Sequence, residues 1–100
     1  MIMNSEKRIT PCMNLSERAN EYIGFVSPYK NQILQYLNSI PSDAVITCSC
    51  TDYVTGETQK ESIKHYRDGA YSWTNEEVYH IEKYDLKLSD DFVDYVLNKH

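Results

Sequence analysis

The stretch SIKHYRDGAYSWTNEEVYHIEKYDLKLSDDFVDYVL, residues 62–97, decides the fold. Within it, Asp68-Gly69 separates two runs rich in aromatic and β-branched residues. This dipeptide is a strong hairpin signal, because a two-residue type I′ turn needs positive φ at both central positions. Such a loop predicts Arg67 opposite Ala70, Tyr66 opposite Tyr71, His65 opposite Ser72 and Lys64 opposite Trp73. Tyr66, Tyr71 and Trp73 then share one face, the one suited to cover helices, while Ile63, His65 and Arg67 take the other. Thr74-Asn-Glu-Glu77 follows as a capping box: a threonine hydroxyl for one orphan N–H and a glutamate three residues on for another. Val78 and Ile81 then face inward along a helix ending near Tyr84. Asp85 to Leu88 reads as extended. Ser89 opens a last helix whose Asp90 and Asp91 favour the positive end of the macrodipole, with Phe92, Val93, Val96 and Leu97 anchoring it.

Moving outward, Ala44 to Val54 alternates with a period of two and is rich in β-branched residues, which predicts a strand with Ile46, Cys48, Cys50 and Val54 on one side. Thr55-Gly56 supplies a turn, a second strand runs from about 58 to 67, and a third covers 70–73. Further upstream, Leu15, Ala19, Tyr22, Ile23 and Val26 recur at the spacing of one helix face. Tyr29, Ile33, Tyr36, Leu37 and Ile40 repeat that spacing. Ser27-Pro28 separates the two segments as cap and first helical residue, and Pro41 stops the second. Residues 1–13 lack periodicity and read as a loose lead-in. The expectation is one α+β domain over residues 1–100: N-terminal helices, a three-stranded antiparallel β-meander and two C-terminal helices, in the order α-α-β-β-β-α-α.

An apolar fraction of 41% and a charged fraction of 25% are ordinary for a folded chain. Nine Tyr against two Phe place many rings at the rim of the core, where a hydroxyl finds a partner; half-buried rings also suit a protein interface. The net charge of −5 is uneven, since residues 74–100 hold seven acids against three Lys, whereas residues 1–73 hold eight acids and seven Lys or Arg. An acidic end repels phosphate backbones and anionic headgroups, which disfavours nucleic acid and membrane surfaces as partners. It draws basic protein surfaces. The sequence shows neither a secretory h-region nor an apolar run of bilayer length. Cys12, Cys48 and Cys50, an odd set, read as reduced, buried thiols in a cytoplasmic protein.

No constellation for catalysis emerges. Cys48, Cys50, His65, His80 and His100 lack C-x-x-C and H-x-x-x-H spacing, so no metal is expected. Cys50 with His65 as base has no neighbour to activate the thiol beyond Lys64 and Arg67, and no Gly-rich turn for an oxyanion. Gly24, Gly56 and Gly69 are too scattered to cradle phosphate, so no nucleotide cofactor is expected. The acids Glu76, Glu77, Glu82, Asp85, Asp90, Asp91 and Asp94 could hold an acid–base pair only if burial separated their pKa values. Helix starts explain about half of them. Glu82, Asp85 and Asp94 are the excess that points to a partner.

The run Asp68-Gly-Ala-Tyr-Ser-Trp73, then Tyr79 to Leu88, then Asp91-Phe-Val-Asp-Tyr-Val96 resembles the immunity proteins of contact-dependent inhibition and related polymorphic-toxin systems. The resemblance covers about the last third of the chain, with Tyr71 and Thr74 where another Trp and a Pro would be expected. It implies a bacterial protein, not an enzyme, that binds and neutralises a cognate toxin domain, commonly a basic nuclease. Under that reading Trp73 and the seven acids form the partner-binding surface. The rival expectation is a small cytosolic adaptor or regulatory module, including a homodimer.

Overall fold

A computed structural model describes residues 7–98. It contains α1 (Leu15–Arg18, continued by a 3-10 turn over Ala19–Glu21), α2 (Lys30–Ser39), α3 (Asn75–Tyr84) and α4 (Asp90–Leu97). The strands are β1 (Lys7–Arg8), β2 (Ala44–Thr51), β3 (Thr58–Asp68) and β4 (Tyr71–Thr74), and the fold is α+β. The sheet order is β1-β4-β3-β2. β2 and β3 are antiparallel, as are β3 and β4, but β1 lies parallel to β4, with Lys7 opposite Tyr71 and Arg8 opposite Ser72. The sheet is therefore four-stranded and mixed, not a three-stranded meander.

That extra strand corrects the expected lead-in over its described part; residues 1–6 of it lie outside the described residues. The Lys7 N–H donates to the Ala70 carbonyl at 2.7 Å, and the Ser89 N–H to that of Ile9 at 2.9 Å. Ile9 and Cys12 are fully buried. Two residues are too few to show periodicity, which is why this strand is silent in the sequence.

The hairpin holds with a shifted register. Tyr66 faces Trp73, Arg67 faces Ser72 and Asp68 faces Tyr71, so the loop is Gly69-Ala70. Gly69 has φ +61 and Ala70 does not share a positive φ, the sign pattern of a type II′ turn. A slip of two residues preserves which face each side chain occupies. Tyr66, Tyr71 and Trp73 accordingly share the helix-covered face: Tyr66 stacks on Trp73 at 6.0 Å, and Phe92 of α4 meets Tyr71 at 5.0 Å.

The first helical stripe also shortens. Helical backbone stops at Glu21, before Gly24 (φ +80), and Val26 is left 77% exposed. The second helix starts two residues later than the Ser27-Pro28 signal suggests, after Tyr29. Its inward face, Ile33, Leu34 and Leu37, joins Trp73, Ile81, Leu86, Phe92 and Val96 in one core. β2 sits at the sheet edge with Ala44 to Ser49 exposed on both faces, so Cys48 is exposed and not buried as expected. Among the described residues no helix is long and apolar enough to cross a membrane.

Candidate functional site

Of the eight residues assigned to a partner surface, the fold uses four internally. Trp73 is 2% exposed and lies in the core. Glu76 is buried, accepting from the Thr51 N–H at 2.8 Å and the Tyr53 hydroxyl at 3.0 Å. Glu77 is buried too: Oε1 accepts from the Thr74 N–H at 3.2 Å, closing the capping box, and lies 3.4 Å from Arg8. Burial pushes the Glu77 carboxyl up against the opposing pull of Arg8. Asp85 takes the left-handed conformation at the end of α3 (φ 54, ψ 51) and pairs with Lys30 at 2.8 Å. Lys30 also donates to the Glu82 carbonyl, closing the helix C-terminus as a cation should. The two glutamates share a cause: α3 continues directly from β4, so its first turn lies against the sheet and not in solvent, whereas Trp73 is buried because it stands on the helix-covered face of β4.

The same packing assembles a polar cluster that the sequence reading missed. Asp52, 2% exposed in the β2–β3 loop, accepts from the Tyr84 hydroxyl at 2.6 Å and the Tyr79 hydroxyl at 2.7 Å. It also accepts from the N–H groups of Val54 and Thr55, an Asx turn that shapes the loop. Burial opposes charge here, yet these four donors outweigh it and hold the Asp52 carboxyl well below its usual range. His80, fully buried, accepts at Nε2 from the Tyr53 N–H at 3.0 Å, so its Nδ1 donates to the Glu76 carbonyl at 2.7 Å. The bond to Asp52 raises the Tyr84 hydroxyl, and burial with the Glu76 bond raises that of Tyr53. Tyrosines pinned as donors are the reverse of activated nucleophiles. The cluster fastens the loop to α3.

The thiol pairing considered above does not form. His65 lies opposite Ala44, six residues along β2 from Cys50, or roughly 20 Å at the rise of a strand. Cys50 instead points at the Asn75 side chain (3.4 Å) and the Ser62 carbonyl, and burial raises its thiol.

Glu82, Asp90, Asp91 and Asp94 remain exposed. Asp91 accepts from the Tyr71 hydroxyl at 3.3 Å, and Asp90 and Asp94 have no ion pair among the described residues. Positions 90, 91 and 94 lie within one turn of each other, so the three carboxylates share a face of α4, while Phe92 and Val96 turn inward. Beside Asp90 runs a groove of about 320 Å³ lined by Phe25, Val26 and Tyr29. These three side chains, all from one short segment, are 46%, 77% and 42% exposed, and of the three α4 acids it is Asp90 that lines the groove. No family model, curated protein or solved structure matches the chain.

Proposed function

We propose that this protein is a binding inhibitor of the immunity type, which neutralises a basic toxin domain by laying an acidic, apolar-edged surface on it. The observation that carries this reading is the pairing of Asp90, Asp91 and Asp94 on one exposed face of α4 with the Phe25–Val26–Tyr29 groove beside it. Exposed apolar side chains flanked by carboxylates are the makeup of a protein-docking surface. Lys87 also lines this groove, its ammonium 4.8 Å from the centre of the Phe25 ring, so the negative charge lies on the α4 side alone. Carboxylates there oppose a partner surface that otherwise binds phosphate, and they speed encounter. A nuclease domain is the favoured target class. The second reading, a homodimeric adaptor, draws on β2, an edge strand with Val45 59% exposed and no charged residue over Ala44–Thr51.

The test is growth rescue. The C-terminal domain encoded by the reading frame immediately upstream is expressed alone and with this protein. Arrest by the domain, relieved by the wild type and not by the D90N/D91N/D94N variant, supports the proposal. An arrest that the wild type leaves untouched refutes this pairing, and relief that the triple variant retains refutes the mapped surface.

A further inference from the structure

A second cleft, of about 270 Å³, opens where the C-terminal end of α2 meets β3 and α3. Leu37, Ile40 and Val78 contribute apolar lining, and the rings of Tyr66 and Tyr79 contribute aromatic lining. Two exposed carboxylates, Glu61 of β3 and Glu82 of α3, line it too, together with one cation, Lys64. None of these three charged side chains forms an ion pair among the described residues. We propose that the cleft is a socket for an arginine side chain of the protein partner, a step that rests on the docking function proposed above.

The choice of occupant follows from the lining. Two carboxylates against one ammonium leave the cleft net negative, so an acidic side chain is repelled. A purely apolar side chain would strip water from Glu61 and Glu82 without replacing it. An arginine meets each demand: its stem covers Leu37, Ile40 and Val78, and its guanidinium forks onto carboxylates and lies against aromatic rings. Lysine carries the same charge, but its ammonium is more strongly hydrated and lacks the flat face that tyrosine rings favour. Lys64 is the internal competitor, because its ammonium repels any cation that enters.

The experiment titrates the full, isotope-labelled protein with N-acetyl-arginine-N′-methylamide while following side-chain resonances of Leu37, Val78 and Tyr66. Saturable shifts confined to the cleft are expected. Glu61→Gln and Glu82→Gln should each weaken binding several-fold, whereas Lys64→Gln should tighten it. The lysine analogue N-acetyl-lysine-N′-methylamide should bind more weakly than the arginine probe. All three substituted positions are exposed, so the variants are expected to keep the wild-type unfolding midpoint, and the comparison of the two probes needs no variant. Non-saturating shifts, shifts elsewhere on the surface, or affinity unmoved by both glutamine substitutions would overturn the socket. Equal or tighter binding of the lysine analogue would overturn the choice of guanidinium. If growth rescue fails while the arginine probe still saturates the cleft, the socket stands and only the toxin reading falls.

Discussion

Helices α3 and α4 begin alike and reach opposite ends. Each follows a capping-type residue, Thr74 or Ser89, and each opens with two acids, Glu76-Glu77 or Asp90-Asp91. In α3 both acids are buried, one on the β2 end and the other in the capping box beside Arg8. In α4 both are exposed. What differs is the preceding chain. β4 runs straight into α3 and presses its first turn against the sheet, whereas the Leu86–Ser89 segment delivers α4 with its start at the surface. Acids at a helix start thus report favourable dipole electrostatics, but the element before the helix decides whether they serve the fold or remain for a partner.

Substitutions on the two sides of this contrast should separate stability from binding. The largest stability loss is expected from Trp73→Ala, which empties the core position between Tyr66 and Phe92 and should cost about 3–5 kcal/mol in urea unfolding. Asp52→Ala should follow at about 2–4 kcal/mol, since it strands the donors of Tyr79, Tyr84, Val54 and Thr55. An outcome near zero for Asp52→Ala would mean that the loop is not fastened through this carboxylate.

Smaller and more diagnostic is the pH dependence, because the two buried acids act with opposite sign. Asp52 is held below its ordinary 3.8, so its contribution is present above that value and is lost as pH falls through the lower folded value. Glu77 is raised above its ordinary 4.5, so its contribution is full below 4.5 and is lost as pH rises through the higher folded value. Urea unfolding between about pH 2 and pH 8 should therefore show Asp52→Asn flattening the acid limb below about pH 4. Glu77→Gln, which keeps a carbonyl for the Thr74 N–H, should flatten the decline above 4.5. Unaltered slopes in both variants would contradict these assignments. The smallest stability change of the set belongs to D90N/D91N/D94N: removing two dipole-favoured charges from the first turn of α4 should cost about 1 kcal/mol, and an amide oxygen at position 91 can still accept from the Tyr71 hydroxyl.

Legibility followed locality. The Thr74–Glu77 capping box was readable because both partners lie within four residues, and the Tyr66–Tyr71–Trp73 face was readable because strand parity survives a slip of two. The slip itself was invisible for the same reason. β1 was unreadable because its ladder joins Lys7-Arg8 to residues more than sixty positions away. Asp52 illustrates the middle case. Its role as an Asx-turn acceptor is signalled by the Thr55-Gly56 turn that follows, but the two tyrosines that bind it arrive only through tertiary packing. The internal use of Glu76 had a faint signal in His80, one turn on and on the same helix face. Glu61 had none, because its cleft is assembled from α2, β3 and α3.

The most direct test of the docking account is calorimetric titration of the domain proposed above as the toxin, the product of the reading frame immediately upstream, with the wild type and with D90N/D91N/D94N, at low and at physiological salt. The account predicts weaker binding by the triple variant, together with a shallower salt dependence, because three carboxylates no longer face the partner's cations. Equal affinities with equal salt slopes would contradict it.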